Sequence, residues 1–373
     1  MKYELINEIN PFLSPTEQIL VNRGIKLEDI PHYLNTTDED INDYNTLGAE
    51  VLTKAAKTLA LHINSGSKTL IIVDSDCDGF TSAAYLTNYL HYVFPAWVEN
   101  NLEFFFHSGK QHGLNDCIDR IIEKEYKLVI IPDAGSNDFK EMEILKNNNI
   151  DFFILDHHEI EGQPPEYSII INNQFSNYPN KELSGVGVTY QFCRYLDTKL
   201  NVNIADNFLD LVALGNLADM MSLLSLETKH LILKGFEEDN INNPFIYYMS
   251  LKNSYSLGDK VTPMGAAFYI APFVNAICRS GTLEEKELIF KSMLTHEAFK
   301  EILSTKRGHK LGEMEKVVDQ ALRVATNVKN RQTKAQDAGL EFLEHMIEDN
   351  DMLSHKALVF LLEPGQVDAA VRG

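Results

Sequence analysis

Five short apolar runs constrain this chain most: KTLIIVD ending at residue 74, LEFFFH at 107, KLVIIPD at 133, DFFILDHH at 158 and YSIIIN at 172. Their β-branched and aromatic content and their shortness mark them as strands. Between them lie stretches with helical spacing, over 80–93, 115–126 and 138–148. In the first of these, Ala83, Leu86, Leu90 and Val93 fall on one face. Strand and helix alternating in this way predict an α/β fold, a mainly parallel sheet flanked by helices. Beyond residue 172 the pattern turns helical, through 184–200, 204–222 and 264–278, and a long polar helical region runs from about 283 to 350. Residues 1–45, punctuated by Pro11, Pro15 and Pro31, read as short helices and turns.

The runs end in chemically useful residues. The first stops at Asp74 and continues to Asp76, Asp78 and Gly79; the third stops at Asp133; the fourth stops at Asp156-His157-His158. The second ends at His107, a weaker candidate. Open α/β sheets bind ligands beyond the carboxyl ends of their strands, so one rule gathers these side chains at a single rim. Asp-x-Asp-x-Asp-Gly also opens a calcium-binding EF-hand loop, but such a loop needs a Glu at its twelfth position, which here is Tyr85, and a helix in front of it. Asp133 follows an apolar strand, where an unpaired carboxylate is costly; helix capping is its bland role, which Gly135-Ser136 and Asp138 can supply instead. Adjacent histidines on a strand end point in different directions, so that one can ligate metal while the other meets substrate. Asp219, in NFLDLVALGNLADMMSLL, lies in an apolar helical stretch with Leu217, Met220 and Met221 around it, which argues against a solvated face.

Five carboxylates and one imidazole (Asp74, Asp76, Asp78, Asp133, Asp219 and His157) exceed what one divalent ion needs and suffice for two. Oxygen and imidazole donors without thiolate suit manganese, magnesium or zinc, and the carboxylate majority tilts the choice to manganese or magnesium. Two such ions support in-line attack at phosphorus.

The formal charge is −21, which argues against nonspecific nucleic-acid binding. It is uneven: Lys300 to Lys334 holds nine Lys or Arg against four Asp or Glu, a balance of +5 that leaves −26 elsewhere. Either a solvated helix face or a nucleic-acid contact surface accounts for this excess. Four scattered cysteines without a CxxC pair fit a reducing cytoplasm, and neither a signal-peptide core nor a membrane-length apolar run occurs. The final HKALVFLLEPGQVDAAVRG reads as a strand, a turn and the start of a helix, either a natural edge strand or the front of a further unit.

Taken in order, these motifs resemble the DHH phosphoesterase superfamily, whose triplet is Asp156-His157-His158 here, and within it the RecJ branch of single-strand-specific DNA exonucleases. LVNRGIKLEDIPHYLN resembles the family's lead-in and VDSDCDGFTSAAYL its first metal motif. HGLN at 112–115 is similar to the turn that follows, and PDAGSND and LDHHE to the second and third motifs. INNQFSNYPNKELSGVGVTYQFCRYL, FLDLVALGNLADMMSL and FYIAPFVNAICRSG resemble the later segments. The chain departs from the pattern at Phe273, where the family carries a second Arg, and no Gly-Gly-His signature occurs in it.

The resemblance implies a 1–45 helical extension, a 46–282 DHH catalytic domain, a 283–350 connecting helical region and a DHH-associated domain beginning at 351–373. It implies that Asp76 and Asp78 each favour one ion, that Asp133 bridges both, that Asp74 supports the first, and that His157 and Asp219 support the second. His158 touches the scissile phosphate, with Arg279 and Asn275 holding phosphate or backbone nearby; a helix-end salt bridge is the other reading of Arg279. Ser184 and Gly185 place backbone N–H groups at a helix start, for phosphate or for tight packing, and His112 is a weaker substrate contact. The implied activity is hydrolysis of single-stranded DNA from its 5′ end with two manganese or magnesium ions, in DNA repair, recombination or replication. The implied partners are a single-strand-binding protein or a helicase. The alternatives are a phosphodiesterase for short oligonucleotides or cyclic dinucleotides, and a non-catalytic scaffold of the same fold.

Overall fold

The computed structural model describes residues 9–109, 111–258, 260–355, 357–362 and 367. The five apolar runs become β1 (Thr69–Val73), β2 (Leu102–Phe106), β3 (Leu128–Pro132), β4 (Asp151–Asp156) and β5 (Ile170–Asn172). They form one sheet in the order β2-β1-β3-β4-β5, parallel throughout. Every residue of β1 and β3 is buried, which is why these strands read as unbroken apolar runs. Successive residues face opposite cores. Ile71, Val73, Leu128, Ile130, Phe153 and Leu155 point into the larger one, and Leu70, Ile72, Val129, Ile131, Phe152 and Ile154 into the smaller.

The helices needed below are α1 (Ala49–Ser65), α2 (Cys77–Val93), α3 (Ile118–Glu123), α4 (Phe139–Asn147), α5 (Gly185–Leu200), α6 (Leu209–Ala218), α7 (Leu226–Gly235), α8 (Ala271–Ser280), α9 (Leu283–Met293) and α10 (Val317–Asp349). Ile121 of α3 and Met142 and Leu145 of α4 fill the smaller core. The larger core takes α1, α2, α5 and the helices that follow. Because β2 and β3 flank β1 on opposite sides, the strand order reverses between β1 and β3, the point where a doubly wound sheet opens a crevice at its carboxyl end.

The expected 204–222 helix is shorter. A 3₁₀ turn over Ala205–Phe208 leads into α6, which ends at Ala218, so Asp219 caps the helix instead of lying inside it, and Met220 is exposed with a left-handed φ of 57°. The long region from 283 is not one helical run either. Between α9 and α10 an antiparallel pair, β6 (Glu301–Leu303) and β7 (Met314–Lys316), forms a hairpin. Three-residue strands carrying Glu and Lys give no periodic signal, so the sequence could not show them. Residues 357–362 carry no strand, and most of the expected strand–turn–helix at the C-terminus lies outside the described residues, as do residues 1–8 of the N-terminal segment. Within 9–45, short helices at Pro15–Asn22 and Ile30–Leu34 match the expectation.

Part of the basic excess is neutralised locally. Lys300 pairs with Glu297, Arg323 with Glu315 and Arg331 with Glu285, while Lys316 lies over the Phe299 ring. Lys306, Arg307 and Lys310 at the hairpin tip are exposed.

Candidate metal centre

The rim between β1 and β3 brings the three aspartates of the first motif to different fates, because the chain passes there from strand to helix. Asp74 leaves β1 buried at 5% exposure. Asp76 is the N-cap of α2, accepting from the Gly79 amide at 2.9 Å. Gly79 is required there, since a Cβ would lie 2.5 Å from the Asp74 Cβ. Asp78, in the first turn of α2, turns towards the start of α5. Its Oδ2 accepts from the Gly185 amide at 2.6 Å, and its Oδ1 from Ser184 Oγ at 2.9 Å and the Val186 amide at 3.2 Å. Gly215 of α6 lets this happen, because a Cβ would sit 2.4 Å from Asp78 Oδ1.

This corrects one expectation. Ser184 and Gly185 do not present donors to a phosphate: Ser184 is fully buried, and the α5 N-terminus binds the chain's own Asp78. The Ser184 amide is taken as well, by Asn216 Oδ1 at 3.1 Å.

Asp133 follows Pro132 with a φ of 67°, a left-handed conformation that costs energy in any residue with a Cβ and is held by its amide's bond to Leu155 O at 2.7 Å. It is 1% exposed, and its Oδ1 has no hydrogen-bond partner; Asp74 Oδ1 is likewise unpartnered. Asp138 stands at the N-cap of α4 but gives that helix no side-chain bond. Its Oδ2 accepts from the Leu114 amide at 2.7 Å, which ties down the 112–115 turn.

At the end of β4 the Asp156 carboxylate organises the histidines. Its Oδ1 accepts from the amides of His157 (2.7 Å) and His158 (3.2 Å) and faces His158 Nδ1 at 2.7 Å, while its Oδ2 accepts from the Ser136 amide at 3.1 Å. His157 then aims Nε2 into the cluster, 3.3 Å from Asp133 Oδ1, 3.6 Å from Asp219 Oδ2 and 3.9 Å from Asp78 Oδ2. The His158 ring is inclined at 52° to that of His157, and its side chain is half exposed.

Candidate ligand atoms of Asp74, Asp76 and Asp133 lie within 4.8 Å of one another, as do those of Asp78, His157 and Asp219, and those of Asp133, Asp156, His157 and His158. Asp133 belongs to two of these groups, the arrangement a bridging carboxylate needs.

The electrostatics match a site built around cations. Burial, then the Asp76 charge, pushes Asp74 up to about 8. Burial and the neighbouring aspartates raise Asp76 and Asp133 as well, and Asp219 to about 7. Burial lowers His157, which leaves its imidazole neutral and able to donate a lone pair. The hydrogen bond that the His158 ring donates to Asp156 outweighs burial and raises His158 to about 9. In Asp156 itself burial is outweighed by the bonds it accepts, and the net value falls to about 2. Two dry carboxylate oxygens without donors, beside a neutral imidazole, fit divalent ions.

On the facing side, Asn275 Oδ1 accepts from the Cys77 amide at 3.2 Å and so ties α8 to the start of α2. Arg279, one turn further along, is exposed, and no hydrogen bond or ion pair engages it among the described residues. Phe273 packs against the larger core. His112 is exposed, its ring 6.4 Å from that of His158.

Sequence reasoning did not single out Gly215, Asn216, the scaffold role of Asp156, or Asp116. Gly215 had a signal, a glycine inside an apolar helix. The others depend on where a side chain turns.

Comparison with known proteins agrees with this fold. Residues 68–216 match the DHH family, N-terminal domain. Over that segment the chain is similar to the DHH family. Its relatives lie on the RecJ side of it. It is 34% identical over 374 residues to the putative SPbeta prophage-derived single-strand DNA-specific exonuclease YorK of Bacillus subtilis, a match covering 100% of this chain and 62% of that protein. To the single-stranded-DNA-specific exonuclease RecJ of the same organism it is 28% identical over 285 residues, 75% of this chain and 35% of the relative. The chain thus spans under two thirds of the length of these relatives. A crystal structure of exonuclease RecJ bound to manganese shares the fold with a TM-score of 0.62 at 21% identity, covering 78% of this chain and 68% of the other. No helix among the described residues is long and apolar enough to cross a membrane.

Proposed function

We propose that this chain hydrolyses phosphodiester bonds of single-stranded DNA at a two-ion centre, as a RecJ-like exonuclease. The observation that carries the reading is the pair of buried, donorless oxygens, Asp74 Oδ1 and Asp133 Oδ1, in carboxylate groups that share Asp133. Asp74, Asp76 and Asp133 would hold one manganese or magnesium ion, and Asp133, His157, Asp219 and Asp78 the other. Asp78 contributes what its bonds to α5 leave free. Bound there, such ions activate a water and neutralise charge developing at phosphorus.

The residues around the centre have defined work. Asp156 holds the charged His158 at the rim, where its ring donates a hydrogen bond to a phosphate oxygen. Arg279, free and exposed, takes a neighbouring phosphate, and Asn275 fixes the α2 start that carries Asp76 and Asp78. Attack from the 5′ end is the polarity the RecJ resemblance implies, and the names of the relatives support single-stranded DNA as substrate. A non-catalytic scaffold does not explain why two buried carboxylate oxygens, Asp74 Oδ1 and Asp133 Oδ1, are kept without donors.

The test uses a long single strand labelled at either end, with manganese. Wild type releases mononucleotides from the 5′-labelled end, and Asp133→Asn, which tolerates the left-handed backbone, abolishes release while staying folded. Full activity in Asp133→Asn refutes the centre. Preference for a dinucleotide over the long strand refutes the exonuclease reading in favour of a short-substrate phosphodiesterase.

A further inference from the structure

His107 is unexplained by the site described so far. It follows β2, and the pairing of Val73 with Phe106 brings residues 74 and 107 out of the sheet side by side. Its ring is fully buried, with Phe105 edge-on at 5.2 Å. Its Nδ1 lies 2.7 Å from Asp116 Oδ1. A carboxylate only accepts, so the proton sits on Nδ1 and Nε2 turns its lone pair the other way. Nε2 has no partner, and what it faces, 3.9 Å away, is the equally unpartnered Asp74 Oδ1.

With Asp74 ionised and the imidazole neutral, the two are acceptors pointed at each other in a dry place, and both have lost their water. The 3.9 Å separation is too long for a hydrogen bond. Bonds of about 2.1 Å to nitrogen and to oxygen span up to about 4.2 Å through one cation. Nδ1 of His62 and of His296 is also buried without a partner; what sets His107 apart is the unpartnered Asp74 oxygen that its free nitrogen faces.

The ring is also held firmly. Lys286 of α9, itself buried, donates to His107 O at 2.7 Å and Gly109 O at 3.2 Å, so its ammonium fixes the turn after β2. A carboxylate that sets the tautomer, a ring and an inward lone pair form the triad by which histidine ligands are oriented towards metals.

We propose that His107, oriented by Asp116, is a nitrogen donor to the ion that Asp74 holds. The proposal rests on the two-ion reading above and deepens it: each ion then meets an imidazole, His107 on the Asp74 side and His157 on the other. Imidazole favours manganese over magnesium, so this residue sets metal preference at the first position.

The test is manganese binding to the whole chain by calorimetry, with pulsed electron paramagnetic resonance reading nitrogen coupled to the bound ion. Wild type takes up two ions and shows couplings that divide between two variants, one part lost in His157→Gln and the other in His107→Leu. His107→Leu weakens one manganese site about 10- to 100-fold and magnesium binding less. Asp116→Asn, which keeps the ring in place, weakens the same site to a smaller degree and serves if His107→Leu does not fold. Wild-type affinity and coupling in His107→Leu overturn the assignment, and so does weaker binding with unchanged coupling, which reduces His107 to packing. If wild type itself binds no manganese, it is the metal-centre reading that fails.

Discussion

Gly185→Ala is the most discriminating perturbation of this site, because it adds one methyl where the structure has no room. An ideal Cβ at residue 185 lies 2.3 Å from Asp133 Oδ1, 2.6 Å from its Cβ and 2.7 Å from its Cα. Ordinary contact begins near 3.4 Å, so something must move by about 1 Å. The α5 start cannot retreat without breaking the 2.6 Å bond from the Gly185 amide to Asp78, so the displacement falls on Asp133. A misplacement of about 1 Å at a reacting centre costs about 10²-fold in rate, equivalent to about 2.7 kcal/mol. Gly187→Ala is the control. Its Cβ meets the Leu183 side chain at 2.4 Å, an apolar clash expected to cost about 1–3 kcal/mol of stability without touching the centre. Single-turnover cleavage of a labelled strand, calorimetric manganese binding and thermal melting are measured on both variants. The reasoning is refuted if Gly185→Ala cleaves and binds manganese like wild type, or if Gly187→Ala loses as much activity at equal folded fraction.

Two further predictions concern the frame around the centre. Glu227 is buried and accepts from the Asn42 amide and side chain, Tyr178 OH, Asn180 and Gln191, joining the N-terminal segment to α5 and α7. Glu227→Gln sets an NH₂ against two donors and should cost about 3 to 6 kcal/mol in urea unfolding; a loss under about 1 kcal/mol contradicts the hub. His296 stacks on His91 with ring centroids 3.8 Å apart, and burial first, then His91, lowers it to about 4. Between the ordinary value of 6.5 and about 4 the unfolded chain binds a proton that the folded chain refuses, so stability falls as pH falls through that window, by up to about 3 kcal/mol. His296→Phe should flatten this slope, and an unchanged slope in pH-dependent unfolding refutes the assignment.

The sheet was legible because β1, β3 and β4 are covered on both faces, which forces apolar, β-branched runs that no surface strand needs. What hid were elements whose identity is set by neighbours. Glu301–Leu303 and Met314–Lys316 pair only with each other and carry no apolar run. The end of α6 was misplaced because Met220 looks buried by type yet is 88% exposed, the left-handed turn after Asp219 throwing it outwards.

The same distinction runs through the site. The strand-end rule alone gathers Asp74, Asp133 and His157, since it needs only element order. Whether an oxygen is free to bind a cation is a different matter, fixed by partners distant in sequence. Asp74, Asp76 and Asp78 are indistinguishable as letters, yet one keeps a buried oxygen without a donor, one caps the helix it begins, and one is gripped by α5 from 106 to 108 residues away. The switch from strand to helix within five residues is what separates them, because it turns successive side chains in directions that neither periodicity predicts. Asp133 has no sequence mark of its left-handed backbone; only the close approach of Gly185 and the bond to Leu155 O explain why it is held there. A motif therefore names the donors a metal centre can draw on, and the tertiary hydrogen bonds decide which of them remain available to it.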